Sequence, residues 1–330
     1  MTDASAPFDV VGLGNAIVDV VVQTDDSTLD ALGLTKGATT LIDSDRAAAI
    51  RPYMEGGIEM SGGSAANTVA GLASLGGRGA FLGRVGGDEL GRTFRDAITA
   101  IGVEYRSPPA PGGPETARCL VLVTPDAERT MLTFLGVSTA FGPDDVDPGL
   151  IENAAIVYLE GYLFDEERAK AAFVRAAELA HAAGRRVALS LSDPFCVERH
   201  RAAFRHLVHG HVDILFANEA EIAGLYEAGD FDEACRRAAA DCPFAALTRG
   251  AAGSVIATGG EIVRVGAAPV GKVVDTTGAG DLYAAGVLFG LSRGYEPDLC
   301  GRIGAIAAAE IVGHYGARPQ ARLADLLPTA

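Results

Sequence analysis

Between residues 155 and 227, short apolar runs alternate with stretches of helical length: strand 155–160, helix 166–183, strand 186–191, helix 197–208, strand 212–216, helix 218–227. Such alternation is the mark of βαβ units and argues for a parallel sheet. The same rhythm opens the chain. FDVVGLG at 8–14 reads as a strand, SGGSAANTVAGLASLGG from residue 61 runs into a helix, and a strand at 79–85 and a helix after Asp88 follow. Further strands fall near 244–249, 253–258 and 261–265. Two apolar helices, 279–293 and 297–313, close the pattern.

Two excursions interrupt it. AIVDVVVQ and a short strand before Asp43 make the first. The second follows a Pro/Gly-rich stretch at 107–115. Here ARCLVLVTP and RTMLTFLG, joined by a polar turn from Asp126 to Arg129, read as a β-hairpin. The expected architecture is α/β: a doubly wound, mostly parallel sheet flanked by helices, with a small β lid. The large unit takes 1–14, 44–106 and 138–330, and the lid takes 15–43 and 107–137. In such sheets ligands bind outside the carboxyl ends of the strands.

Composition narrows the partners. A formal net charge of −16 argues against nucleic acid and anionic membrane surfaces. Lys36, Lys170 and Lys272 are the only lysines, so Arg carries the positive charge. Cys119, Cys196, Cys235, Cys242 and Cys300 are odd in number and lack a C-x-x-C, which argues against a disulfide framework or thiolate zinc site. MTDASAPFDV lacks a signal-peptide pattern, and no apolar run reaches a membrane span. The expectation is a cytoplasmic protein.

Five segments carry chemistry. In VVDTTGAGDLYAAGVLFGL, residues 273–291, the turn Thr277-Gly278-Ala279-Gly280 runs straight into an apolar helix. The first N–H groups of a helix lack internal partners and face anions. Asp281, in the first turn, can take a proton from an attacking hydroxyl; it can also simply cap the helix. In SGGSAANTV, Gly62-Gly63 presents bare backbone and Asn67 follows one turn later, although Ser61 or Ser64 as a plain cap would look alike. Asp19 in GLGNAIVD is a carboxylate among apolar strand residues, suited to diol hydroxyls or to an outward strand face. Asn218 and Glu221 in FANEAEI share a helical face, able to orient Mg²⁺ waters or to form a cap. Thr248, Gly250 and Gly253 mark a tight turn that covers a nucleotide or is only a hairpin. His206, His209 and His211 read as structural. Gly12-x-Gly14 lacks the third glycine of a dinucleotide site, and no Walker or protein-kinase motif occurs.

Together, GGSAANTVAGLASLGGRGAFLGRVGGDELG and DTTGAGDLYAAG resemble the two signatures of the ribokinase-like (phosphofructokinase B) carbohydrate and nucleoside kinases. The resemblance covers nearly the whole chain. It implies that Asp281 is the catalytic base and that Gly278, Ala279 and Gly280 form the anion hole. It further implies that Asn15, Asp19, Gly62, Gly63, Ser64 and Asn67 bind substrate, and that Asn218 and Glu221 serve Mg²⁺ and phosphates. Thr248, Gly250, Gly253 and His314 would lie around ATP, and Asp275, Thr277 and Gly316 would hold a monovalent cation, usually K⁺. Ribokinases carry Gly-Gly-Lys where this chain has Gly62-Gly63-Ser64. GNAIVD and YLEGYLFD look more like adenosine kinases, and Arg129 in PDAERTM matches a lid arginine of that subfamily that approaches the phosphates. Phe134 and Tyr162 are candidates to contact a purine. The implied activity is ATP-dependent phosphorylation of a primary hydroxyl, adenosine first, by a monomer or homodimer. Fructose or another sugar is the alternative acceptor, and a non-catalytic sugar- or nucleoside-binding regulator is the alternative of another class.

Overall fold

The computed structural model describes residues 6–126 and 128–328. The first five residues of the expected large unit, Ala127 of the expected hairpin turn and the last two residues lie outside the described residues. Fourteen strands are described: β1 (Phe8–Leu13), β2 (Ile17–Gln23), β3 (Thr39–Leu41), β4 (Ile58–Gly62), β5 (Gly79–Leu82), β6 (Glu104–Tyr105), β7 (Ala117–Val123), β8 (Arg129–Phe134), β9 (Ala154–Glu160), β10 (Arg186–Ser190), β11 (Ile214–Asn218), β12 (Phe244–Thr248), β13 (Ser254–Thr258) and β14 (Glu261–Val265). Nine form one sheet in the order β14-β13-β12-β11-β10-β9-β1-β5-β6, parallel except for β13 and β14. The other five form a second sheet, β3-β8-β7-β2-β4. The structure is thus the α/β fold that the alternation required, with a small second sheet.

β9 illustrates why the large sheet is covered on both faces. Successive side chains of a strand point to opposite sides. Ile156 and Tyr158 join the apolar layer that also holds Val69, Leu282 and Ile303, while Val157 and Leu159 join the layer of Phe173 and Phe204. The unbroken apolar run AAIVYL is what a strand between two helical layers needs.

The hairpin β7–β8 pairs as its sequence suggested, with Val123 opposite Arg129. One strand was not foreseen in the small sheet. β4 pairs antiparallel with β2, although 58–62 lies in the stretch assigned to the large unit. IEMSG is too short and too exposed at its start to carry a clear alternation. The helix Phe231–Asp241 likewise occupies a stretch without an expectation. No helix among the described residues is long and apolar enough to cross a membrane.

Two packing features position the site. Strand order reverses between β1 and β9, and a crevice opens at such a reversal at the carboxyl ends of the strands. Asn15 follows β1 there, and Glu160 ends β9. The helix Ala279–Ser292 is pressed against this crevice by small residues. A Cβ on Gly286 would fall 2.5 Å from the Gly304 nitrogen of the helix Pro297–Ile311. Gly71 of the helix Ser64–Ser74 would likewise meet Leu282 at 2.5 Å. Gly286→Val must therefore push two helices apart. It is expected to lower stability by ~1–3 kcal/mol, read as a lower urea midpoint at unchanged m-value; parental stability would contradict this packing.

Candidate active site

A cavity of about 860 Å³ lies between the two sheets at the crevice. Asn15, Asp19, Gly63, Ser64 and Asn67 line one side, and Asn218, Glu221, Thr248, Thr277, Gly278, Gly280 and Asp281 line the other. Arg129 reaches it from the small sheet. Residues scattered over more than 260 positions of sequence thus share one space.

Asp281, the expected base, lines this cavity. Gly278, at φ 80°, makes the left-handed turn that starts the helix Ala279–Ser292, and a Cβ there would press on Ala317 at 3.0 Å. Gly280 then leaves open space in front of the first turn, where amides lack internal acceptors and the helix dipole favours an anion. Ser64 Oγ donates to Asp281 Oδ1 at 2.6 Å and Asn67 Nδ2 donates to Oδ2 at 3.0 Å. Burial pushes the Asp281 carboxyl up; those two hydrogen bonds and the Arg318 charge pull it back, with a net rise. A carboxylate so placed is a better base than a solvated one, because its proton affinity is raised.

The side of the cavity lined by Asn15, Gly63 and Ser64 is built around a second buried carboxylate. Glu160 accepts from Asn15 N at 3.2 Å, Asn15 Nδ2 at 2.8 Å and Ala65 N at 2.8 Å. Burial raises its carboxyl to about 7 against the pull of those donors. It therefore clamps the end of β1 to the start of the helix Ser64–Ser74. Gly63, at φ 97°, is needed between them: a Cβ would sit 2.1 Å from the Asn15 carbonyl oxygen. Asp19 lies over bare Gly62, 2.6 Å from where a Cβ would stand. Burial raises the Asp19 carboxyl to about 6, opposed by the charges of Arg129 and Arg318.

The cluster expected to hold a monovalent cation takes another form. Asp275 accepts from Thr277 Oγ1 at 2.7 Å, Thr277 N at 3.0 Å and Gly316 N at 3.2 Å. Arg129 of β8 forms an ion pair with the same carboxylate and approaches Thr277 Oγ1 at 3.4 Å. Burial raises the Asp275 carboxyl, but Thr277, Arg129 and Gly316 outweigh it and hold it below its usual value. In this arrangement Gly316 presents a donor and Arg129 covers the carboxylate. Arg129 stands beside the glycine turn, with its Nε buried and unpartnered among the described residues.

At the other end, Asn218 and Glu221 bond each other. Glu221 N donates to Asn218 Oδ1 at 2.9 Å, and Glu221 accepts from Asn218 N at 2.9 Å and Nδ2 at 2.6 Å. This capping box is the alternative raised by their spacing. Both still line the cavity, and burial raises the Glu221 carboxyl to about 7. A hard-oxygen pair already so engaged fits Mg²⁺ through water and not by direct ligation. Ala279 and Gly62 lie behind the lining. Gly250 and Gly253 do not line the cavity either, and Gly253 is explained by the Val265 carbonyl, 2.2 Å from a Cβ. His314 points away, bonded to Glu310 at 3.1 Å.

Phe134 is buried outside the cavity, stacked on Arg118, because its position in β8 faces away from Arg129, Met131 and Thr133. Tyr162 does line it, 43% exposed, and so does Phe195, 70% exposed. Phe195, Glu160 and Arg318 were not singled out from sequence. Only an apolar residue at a helix start, an acid inside an apolar strand and an arginine in HYGARP signalled them.

A sequence profile described as "pfkB family carbohydrate kinase" matches residues 55–322. The fold superposes with a TM-score of 0.90 on the crystal structure of adenosine kinase from Sinorhizobium meliloti, 48% identical, covering 97% of this chain and 98% of that one. A probable sugar kinase from Rhizobium etli CFN 42 is 44% identical with a TM-score of 0.90, covering 97% of each chain. An ATP-dependent ribose-1-phosphate kinase from Halopiger xanaduensis is 32% identical over 75% of this chain and 77% of its own length.

The two raised carboxyls make a stability signature. Unfolded, Asp19 and Glu160 titrate near 4; folded, they titrate at about 6 and about 7. Each contributes stability that is full below the unfolded value and lost as pH rises through the folded one, up to roughly 3 kcal/mol for Glu160. Tm is expected to fall between pH 5 and 8, and Glu160→Gln should flatten that slope. An equal slope in the variant would contradict the assignment.

Proposed function

The chain belongs to the pfkB family of carbohydrate kinases, and from that premise we propose that it transfers the γ-phosphoryl group of ATP to the primary hydroxyl of a nucleoside, adenosine first. The observation that carries the chemistry is Asp281, held by Ser64 and Asn67 at the open first turn of its helix. The acceptor hydroxyl lies against Asp281 and gives up its proton to a carboxylate oxygen as the new O–P bond forms. The bond to the β-phosphate oxygen breaks and ADP leaves. Amides at the glycine turn, with the helix dipole behind them, stabilise charge on the moving phosphoryl group. Arg129 adds a donor beside that turn once it exchanges Asp275 for phosphate oxygens. Mg²⁺, held through water by Asn218 and Glu221, supplies neutralisation of the phosphate oxygens when bound.

Asp19, Gly63 and Asn67 are assigned to the sugar hydroxyls, and Glu160 holds the loop that presents them. Two features support a nucleoside over a bare sugar. Tyr162 and Phe195 leave large apolar faces in the cavity, suited to a base. The likeness to an adenosine kinase extends over nearly the full chain at 48% identity. A second reading, a sugar or sugar phosphate acceptor, draws on the ribose-1-phosphate kinase likeness.

ADP release from MgATP, with and without K⁺, tests both across adenosine, inosine, ribose, ribose 1-phosphate and fructose. Adenosine is expected to give the highest kcat/KM, by at least ~10-fold. Preferred turnover of ribose 1-phosphate or a free sugar would overturn the nucleoside assignment while leaving the kinase intact.

A further inference from the structure

Arg318 has no part in the scheme above, yet its guanidinium grips, through two carbonyls, the segment that carries Ser64 and Asn67. Nε donates to the Ser61 carbonyl at 3.0 Å and Nη1 donates to the Ala66 carbonyl at 2.8 Å. Ser61 directly precedes Gly62-Gly63. Ala66 sits in the helical turn that carries Ser64 and Asn67, the two residues that hold Asp281. The third nitrogen, Nη2, is shut off from solvent and has no hydrogen-bond partner among the described residues. Arg318 also follows Ala317, which lines the cavity and packs on Gly278, and lies two residues beyond Gly316, which bonds Asp275. One residue therefore joins the Ser61–Asn67 segment, gripped by its side chain, to the glycine turn, on which its chain neighbours pack.

Its charge has a clear target. Asp19 from β2 and Asp281 from the helix Ala279–Ser292 line one cavity, and the Asp281 charge raises the cost of ionising Asp19 and, nearby, Glu160. The other cation near Asp19 is Arg129, which is committed to Asp275; Cys119 of β7 also faces Asp19, and Tyr158, Tyr162 and Glu160 face Asp281. Arg318 is the cation that acts on both Asp19 and Asp281. Burial pulls its guanidinium down to about 10, against those two carboxylates, so it stays charged at neutral pH. A planar fork can reach two carbonyls at once and keep a charged edge free, which an ammonium cannot.

We propose that Arg318 is a positioning residue that ties the Ser61–Asn67 loop in place and supplies the positive charge that lets Asp19 and Asp281 stand ionised together. The catalytic half of this inference rests on the kinase reading; the electrostatic half does not.

Arg318→Gln keeps an amide donor and removes the charge, whereas Arg318→Lys keeps the charge. Thermal midpoints from pH 5 to 8 separate the two contributions. Without the cation, both carboxyls move further up. A carboxyl raised by folding contributes stability at low pH that is lost as pH rises through its folded value. The gap between parent and Arg318→Gln should therefore widen from pH 5 to 8, while the gap for Arg318→Lys stays constant. A loop tie alone does not titrate, so a constant gap for Arg318→Gln overturns the proposal, as does a widening gap for Arg318→Lys should the Gln variant not fold. In turnover, the acid limb of kcat/KM should move up by about one pH unit in Arg318→Gln and stay in place in Arg318→Lys. An unmoved limb in a folded Arg318→Gln also overturns it. If the parent phosphorylates no acceptor, the kinase reading fails, and the thermal comparison still decides the role of the charge.

Discussion

Two hydrogen bonds across the cleft, from Ser64 and Asn67 to Asp281, are the contacts on which the rest of this structure depends. They join the helix Ser64–Ser74 to the helix Ala279–Ser292. The join holds because Gly71, Gly286 and Gly304 let those helices and their neighbour come close enough. Both carboxylate oxygens of Asp281 are then fixed in direction, so in the proposed reaction an acceptor hydroxyl would meet an oriented base and not a rotating one. Orientation of this kind removes entropy from the reaction before it starts.

The electrostatics present a difficulty that the fold resolves locally. A chain of net charge −16 must receive a polyanionic nucleotide in a cleft that already contains Asp19, Glu160, Glu221 and Asp281. Three positive features answer it. The helix Ala279–Ser292 points its positive end at the cavity, Arg129 comes from the small sheet, and Arg318 comes from the C-terminal loop. The pairing of Arg129 with Asp275 also couples the small sheet to the phosphate turn. In the proposed reaction, phosphate arriving at that turn would offer the arginine a second partner.

Much of this was visible in the sequence. The βαβ rhythm specified the sheet because each strand is buried on both faces, and the two glycine-rich signatures pointed to the helix starts that frame the cavity. What escaped shares a physical cause. β4 is five residues with little alternation, and it joins the small sheet only because β2 offers it an edge. Glu160 looks like an ordinary acid until the fold buries it against three N–H groups of Asn15 and Ala65. Asn218 and Glu221 carry a spacing that serves a cap as well as a cation, and they bond each other. Arg129 and Asp275 lie 146 positions apart, so their ion pair exists only in three dimensions.

The central claim is that Asp281 accepts the proton of the attacking hydroxyl. Its most direct test is steady-state kinetics of Asp281→Asn with MgATP and the best acceptor, alongside a check that the variant melts like the parent. Asn keeps the shape and a hydrogen-bonding oxygen but cannot take the proton. The expected result is a kcat lowered by roughly 10²–10⁴ with KM little changed. A variant that folds normally and keeps most of its kcat would contradict the account.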